Sequence, residues 1–434
     1  MLHPLHTRPG DWEKAQDNPD LRISLYTGPS TDAPDKKWED KICSPRYELF
    51  LHDEEAESSD EAVNWTRSNL EHCCSSHPEC NLEEPNWGLP TRVLDLGESN
   101  RALTSDVKLY VTHNEQEEYL SLSHCWGSEP ELRPLETTTK TLDEFQDRIC
   151  YDNLTKTFQD AVVFTRKLGY RFLWIDSLCI IQDDGDDWMR EAGAMASIYK
   201  NSVFTLAAAS SSDSGGGLFR KSNPDIRLGH PNQQKGMQSA ARQFSNPSFF
   251  EYRPRPNGMS REKPVPEESS PLFQRAWVFQ ERILSRRVLY FTPLELVFEC
   301  RVSNNTESGS SWIDSKPKKA FLSVYDNISP AEDISHLWHQ LVADFTQLQL
   351  TMEKDTLPAM AGLARRFLQR SDSANPSSYF AGLWRGTFID DMHRTASHHT
   401  KDKPQRINSG IPTWSWARSD DPKCYIQGRI IAYL

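Results

Sequence analysis

The chain has 434 residues and a net charge of −13, from 49 lysines and arginines against 62 aspartates and glutamates. Such an acidic chain lacks the positive surface that nonspecific binding to nucleic acids or to anionic membranes requires. Hydrophobic residues make up 37% of the sequence and aromatic residues 10%, a content that excludes a disordered chain. Taken together, the charge and the composition predict a folded protein that binds neither nucleic acid nor membrane.

The N-terminal residues, MLHPLHTRPGDWEKAQ, contain no apolar run of the kind that a secretory signal has. The nine cysteines are odd in number and stand mostly in apolar stretches, so we expect no disulfide framework. Both observations predict a reducing compartment, the cytosol or the nucleus, and we expect a cytoplasmic protein.

Residues 1–88 are predicted to form an N-terminal arm and a helical lead-in, in which 62–80 is a helix that ends at a turn. A zinc-like group of side chains stands there: Cys73, Cys74, His77 and Cys80. Zinc sites in sequences are usually marked by two separated ligand doublets, and here there is one crowded group without a second pair. We therefore favour buried or half-buried thiols and predict no metal site.

The middle of the chain alternates between strand and helix patterns. The predicted strands are 89–96, 119–123, 170–175 and 203–209, and the predicted helices are 156–168, which Gly169 ends, and a second helix that Asp186 or Asp187 caps and that runs to Tyr199. Strands and helices that alternate over short connections are typical of a parallel sheet. The predicted fold class is therefore α/β.

The main domain is predicted to span 89–300 and to contain a polar insertion at 222–270. Within it, 275–284 is predicted to be a helix, and 287–291 and 294–300 are predicted strands, followed by a polar stretch, SNNTESGSS. Residues 301–434 are predicted to form a mixed helical and β extension that packs on this domain, with two tryptophan-rich segments, AGLWRG and IPTWSWA.

Ligands of parallel sheets bind beyond the carboxyl ends of the strands. The residues at these ends are Ser123, His124, Cys125 and Trp126 after one strand, and Asp176 and Ser177 after the next. His124 is either a general acid and base or a structural imidazole. Cys125 is next to it and faces the opposite side of the sheet, so we expect no Cys–His catalytic pair. No glycine-rich dinucleotide loop follows a strand, so we expect no bound cofactor.

Three segments together resemble the fungal heterokaryon incompatibility (HET) domain family: YLSLSHCWG at 119–127, the run from 154 to 210, and RAWVFQERILSRRVLYF at 275–291. The sequence departs from the family pattern at His124, where tyrosine is commoner. The resemblance implies a fungal source, a TIR-like or flavodoxin-like core, and a part in non-self recognition and cell death. TIR-like enzymes cleave NAD⁺ with one glutamate, so NAD⁺ is implied as a substrate.

The resemblance implies that Glu191 is the catalytic glutamate, because it follows Trp188 on a predicted helix. Glu191 falls on the apolar face of this helix, where the alternative is a buried ion pair with Arg171 or Arg275. His124 and Asp176 complete the predicted catalytic set. The predicted substrate-binding residues are Ser123, Cys125, Trp126, Ser177, Trp188 and Arg275, of which Arg275 binds a diphosphate or pairs with a carboxylate.

Three functions are compatible with this sequence. The first is a TIR-like NAD⁺ glycohydrolase in a cell-death response, and the second is a tailoring enzyme that acts on a small molecule of fungal secondary metabolism. The third is a noncatalytic module that signals by self-association. The expected partners are a small-molecule substrate and further copies of the chain as a homo-oligomer.

Overall fold

The computed structural model describes residues 56–81, 88–98, 100–127, 133–219, 270–292, 295–307, 316–326, 331–370, 379–391, 394–396, 410–412, 414–418 and 424–426. The N-terminal arm and all but the last residue of the predicted insertion at 222–270 lie outside these residues. Among the helices described, none combines the length and the apolar character needed to cross a bilayer.

The described strands are β1 (Arg92–Asp95), β2 (Lys108–Val111), β3 (Tyr119–Ser123), β4 (Phe172–Trp174), β5 (Thr205–Ala207), β6 (Arg287–Phe291), β7 (Leu296–Cys300), β8 (Asn304–Thr306), β9 (Tyr379–Phe380), β10 (Leu383–Trp384), β11 (Arg394–Ala396) and β12 (Cys424–Ile426). The described α-helices are α1 (Ala56–Ser76), α2 (Leu142–Asp147), α3 (Lys156–Leu168), α4 (Asp176–Cys179), α5 (Gly185–Asn201), α6 (Ala276–Leu284), α7 (Lys316–Asp326), α8 (Ala331–Phe345), α9 (Pro358–Arg370) and α10 (Phe388–Asp391).

Eight strands form the central sheet, in the order β2-β1-β4-β3-β5-β6-β7-β8. The four central strands, β4, β3, β5 and β6, are parallel, and the pairs at both ends of the sheet are antiparallel. The predicted α/β fold is confirmed, although the sheet is mixed rather than wholly parallel. Only a few residues join β6 to β7, and so short a connection permits only antiparallel pairing.

Helices cover both faces of the sheet. The crossovers from β3 through α3 to β4, and from β4 through α5 to β5, run in opposite directions along the sheet. Because such crossovers between parallel strands are right-handed as a rule, α3 and α5 are expected on opposite faces. Helix α1 packs on α3, and α6 and α9 pack on α5. The amide oxygen of Gln280 in α6 accepts the backbone N–H of Gly362 in α9 at 2.8 Å, which fixes these two helices to each other.

The ends of α3 and α5 follow from local residue chemistry. Gly169 ends α3 with a φ of +93°, a backbone conformation that glycine adopts without strain. Asp184 caps α5, because its side chain accepts the backbone N–H groups of Asp186 at 3.0 Å and Asp187 at 3.1 Å. The predicted cap at Asp186 or Asp187 was therefore wrong by two or three positions.

The tryptophan-rich segments of the C-terminal part meet at Gly382. Its carbonyl oxygen accepts the indole N–H of Trp338 in α8 at 3.1 Å and that of Trp416 at 2.9 Å. Gly382 has a φ of +96°, and a Cβ atom there would lie 2.4 Å from Trp416 Nε1. Only glycine fits this position without strain, and its carbonyl satisfies two buried donors of a second apolar core around Trp338.

Candidate active site

The carboxyl ends of the parallel strands converge at the centre of the sheet. After β3, the chain goes to β4 on one side and then to β5 on the other, so the order of strands reverses at β3 and β5. Ligands of open α/β sheets bind at such a switch point. Ser123 is the last residue of β3, and Asp176 begins α4 just beyond β4.

Asp176 connects the segments that follow β3 and β4. Its Oδ2 accepts the indole N–H of Trp126 at 2.9 Å, and its Oδ1 accepts the backbone N–H of Ser177 at 2.7 Å. His124 Nδ1 lies 3.7 Å from Asp176 Oδ1. The structure therefore brings these four predicted site residues together. The Asp176 side chain is 21% exposed, so the site opens to solvent at this carboxylate.

His124 is held as a neutral imidazole. Its ring is buried and lies edge-on to Phe158 of α3, with the ring centres 5.0 Å apart. Burial lowers the pKa of His124 to about 4, and the nearby Asp176 carboxylate only partly opposes this effect. His124 Nε2 is buried without a hydrogen-bond partner among the described residues. An imidazole of such low basicity is a poor general base at pH 7.

Cys125 and Arg275 lie on the other side of β3. Cys125 packs in a small apolar cluster with Ala207 and Val278, and burial raises the pKa of its thiol. A neutral thiol in an apolar setting is a weak nucleophile. Arg275 Nη1 donates to the carbonyl oxygen of His124, so its guanidinium is held at the carboxyl end of β3. The expectation that His124 and Cys125 do not form a catalytic pair agrees with these separate surroundings.

Glu281 of α6 is the site residue that the sequence analysis missed. It is only 6% exposed, and burial raises the pKa of its carboxyl group to about 7; the nearby Asp176 raises it further, while Ser123, Arg275 and Tyr199 lower it. The Ser123 hydroxyl lies close enough to affect this pKa but not in regular hydrogen-bonding geometry, since Ser123 Oγ and Glu281 Oε2 have no hydrogen-bond partner in the described part of the chain.

A signal for Glu281 was present in the sequence. Glu281 comes three residues after Val278 and three before Leu284, and all three are buried. A carboxylate on an apolar helix face is the same pattern that drew attention to Glu191. The sequence does not predict that α6 lies over the end of β3, because this position depends on the order of the strands in the sheet.

Glu191 is buried, as its place on an apolar helix face predicts, but it contacts two arginines. Its Oε1 lies 3.7 Å from Arg92 Nη2 and 3.6 Å from Arg190 Nε. Arg92 also pairs with Asp187 at 2.5 Å. The predicted ion-pair partners were Arg171 and Arg275, and Arg171 instead pairs with Asp95 at 2.8 Å.

Two further predicted site residues, Trp188 and Ser177, have surroundings that differ from those of the group around Asp176. Trp188 lies edge-on to Trp277 at 6.3 Å between ring centres, with Lys354 Nζ 5.5 Å from the Trp188 ring. Ser177 is fully buried and its hydroxyl has no hydrogen-bond partner among the described residues. In the part of the chain that is described, we find no contact between Trp188 or Glu191 and the group around Asp176 and Glu281.

An open cavity of about 800 Å³ lies at the opposite edge of the sheet, near the start of β4. Its charged side chains pair with one another, as in the contacts of Arg171 with Asp95 at 2.8 Å and of Arg148 with Asp106 at 2.6 Å. None of the predicted site residues lines it. We therefore regard the carboxyl edge of the sheet as the candidate active site.

Residues 119–281 match the family model described as Heterokaryon incompatibility protein (HET). The match begins at the first residue of β3 and ends at Glu281, so it includes every residue of the candidate active site. It confirms the predicted resemblance to this family and does not bear on the TIR-like part of that prediction. No curated protein and no solved structure matches the chain significantly.

Proposed function

Because the chain contains a HET domain at residues 119–281, whose family has a role in heterokaryon incompatibility, we propose that it acts in this response by hydrolysing NAD⁺ at the nicotinamide glycosidic bond. The observation that carries the proposal is the buried carboxyl group of Glu281 at the switch point of the sheet, beside Asp176 and Arg275. This glutamate replaces Glu191 as the residue that we expect to be essential.

Hydrolysis of the nicotinamide glycosidic bond needs only one carboxylate close to the ribose ring. Breaking the bond between C1′ of the ribose and the pyridinium nitrogen leaves a neutral nicotinamide, which needs no proton from the enzyme. Positive charge develops on the ribosyl ring, and a nearby carboxylate stabilises it. Water then forms a bond to C1′, and its proton passes to the carboxylate of Glu281 and on to solvent. The products are nicotinamide and ADP-ribose.

The neighbouring side chains have functions that follow from their chemistry. The partly exposed carboxylate of Asp176 accepts hydrogen bonds from the ribose hydroxyl groups at the mouth of the site. Arg275 offers N–H groups to the diphosphate, since guanidinium groups bind phosphate oxygens through paired hydrogen bonds. Trp126, held by Asp176 at 2.9 Å, presents a ring on which a base stacks.

The contacts of Glu191 support a structural function for it. Two arginines face its carboxylate at 3.6–3.7 Å, so its charge is compensated inside the protein. Removing one member of a buried ion pair destabilises a protein even where that residue never contacts a substrate. A catalytic Glu191 is still the prediction from the resemblance, and the experiment below separates the two glutamates.

The test is the chromatographic detection of nicotinamide after purified full-length protein is incubated with NAD⁺, at low and at high protein concentration. We expect release by the wild type and by Glu191→Gln, and a loss of at least about 100-fold for Glu281→Gln, the size of effect that one electrostatic group has. Both variants must unfold cooperatively, which shows that a loss of activity is not a loss of the fold. Loss with Glu191→Gln alone would assign catalysis to Glu191, and no release by folded wild type at any concentration would refute the glycohydrolase.

The pH dependence of the rate is a second test. The carboxylate form of Glu281 is the active one, and its pKa is about 7. The rate of nicotinamide release should therefore rise about tenfold between pH 6 and the plateau above pH 8, as the ionised fraction grows. A rate that is constant over this range would contradict the assignment of Glu281.

A further inference from the structure

Three cysteines and one histidine converge on the side of the sheet that carries α1. Cys73 is in the last turn of α1, His77 follows the helix, Cys80 ends the next short helical turn, and Cys300 is the last residue of β7. The sulfur atoms and one ring nitrogen all lie within 4.8 Å of one another. Cys300 Sγ is 3.4 Å from His77 Nδ1. All three cysteines are buried.

These distances are close to those of a tetrahedral metal site. Zinc bonds of about 2.3 Å to sulfur and about 2.0 Å to nitrogen place neighbouring ligand atoms roughly 3.5–3.8 Å apart. A shift of less than about 1 Å per side chain would bring every pair to this spacing. Three sulfur ligands and one imidazole favour zinc over magnesium or calcium, which prefer oxygen. We propose that Cys73, His77, Cys80 and Cys300 bind one zinc ion.

The surroundings of the sulfur atoms support thiolates. Arg287 is 1% exposed, and its Nε donates to Cys73 Sγ at 3.1 Å. The backbone N–H of Ser303 donates to Cys300 Sγ at 3.3 Å. Donors of this kind orient and stabilise metal-bound thiolates. Three thiolates and one Zn²⁺ have a net charge of −1, which the guanidinium of Arg287 compensates.

Arg287 is otherwise a buried cation without a counterion. Its other hydrogen bonds go to the carbonyl oxygen of Val203 at 3.3 Å, to Asn81 Oδ1 at 3.0 Å and to Cys74 Sγ at 3.4 Å. No carboxylate contacts it within the described residues. Buried charges are usually paired, and the zinc thiolate group supplies the missing negative charge.

The position of the four ligands indicates what the metal does. His77 and Cys300 are 223 positions apart, and the metal joins the segment after α1 to β7 near the edge of the central sheet. Four protein ligands leave no open position for a substrate, which is typical of structural zinc. All four lie outside residues 119–281, so this site is separate from the candidate active site.

The experiment is elemental analysis of the full-length protein purified from zinc-containing medium, followed by removal of the metal and titration with Co²⁺. We expect one zinc ion per chain and cobalt absorption bands typical of tetrahedral coordination by thiolates. Cys300→Ser should lose most of the metal, and Cys74→Ser, the matched control at the neighbouring exposed cysteine, should keep it. Zinc retained in full by Cys300→Ser would overturn the assignment.

A measurement on the wild type covers the case in which Cys300→Ser fails to fold. X-ray absorption at the zinc edge should show three sulfur neighbours and one nitrogen. Wild-type protein that has no zinc and forms no cobalt complex would overturn the proposal, and so would mass spectrometry that finds a disulfide between any two of the three cysteines under reducing conditions typical of the cytosol.

Discussion

Glu281→Gln should make the protein more stable at alkaline pH while it removes the proposed activity. The pKa of Glu281 in the folded protein is about 7, against an ordinary value of 4.5. Between these values the unfolded chain has lost the proton and the folded chain still holds it. Stability therefore falls as the pH rises from 4.5 towards 7, and above 7 the loss is complete. Glutamine carries no such ionisation and escapes the loss.

The magnitude follows from the size of the shift. Each pKa unit corresponds to about 1.4 kcal/mol, so a shift of roughly 2.5 units costs the wild type about 3 kcal/mol at pH values well above 7. Part of this loss is already present at pH 5.5. The free energy of unfolding of Glu281→Gln, taken relative to that of the wild type, should therefore be about 2 kcal/mol higher at pH 8 than at pH 5.5.

The assay is urea unfolding of both proteins at the two pH values. Other groups that titrate in this range are common to both proteins and cancel in the difference. Asp95→Asn is the control, because the Arg171 guanidinium and the backbone N–H of Gly97 outweigh burial and lower the pKa of Asp95, and Arg171 stays charged at both pH values. That variant should be less stable than the wild type by nearly the same amount at both pH values. A difference for Glu281→Gln that does not change with pH would refute the raised pKa.

Two further substitutions test the packing. Arg92→Met removes the partner of two buried carboxylates, Asp187 at 2.5 Å and Glu191 at 3.7 Å, so the free energy of unfolding should fall by about 3–5 kcal/mol; a fall below about 1 kcal/mol would contradict the pairing. Gly382→Ala places a Cβ atom 2.4 Å from Trp416 Nε1 at a φ of +96°, which should lower the midpoint of thermal unfolding and cost about 1–3 kcal/mol; an unchanged midpoint would contradict this geometry.

Much of the central sheet was predictable because its strands are short apolar runs between strong helix signals. The bounds of β3 and α3 agree with the predicted 119–123 and 156–168. The strand β8 was missed, because Asn304, Asn305 and Thr306 have no apolar alternation and pair only with β7 at the edge of the sheet. Edge strands bury little, so their sequences have little hydrophobic signal.

The site was predictable where its residues directly follow the ends of predicted strands. His124 and Trp126 follow one strand and Asp176 follows another, and the structure brings them together. The sequence analysis did not assign Glu281 or Cys300 to a site, and the reason is the same for both residues. Each completes its group from a distant segment, and the register that brings it there is a property of the whole sheet rather than of any local pattern.

The hydrogen bond from Arg275 to the carbonyl oxygen of His124 joins residues 151 positions apart, and this separation has a consequence during synthesis. At about 5–20 residues per second, a ribosome needs roughly 8–30 s to go from His124 to Arg275. Until then α6 does not exist, and the growing chain has no Glu281. If the protein hydrolyses NAD⁺ as proposed, a chain that is unfinished or cut short before α6 should therefore lack this activity.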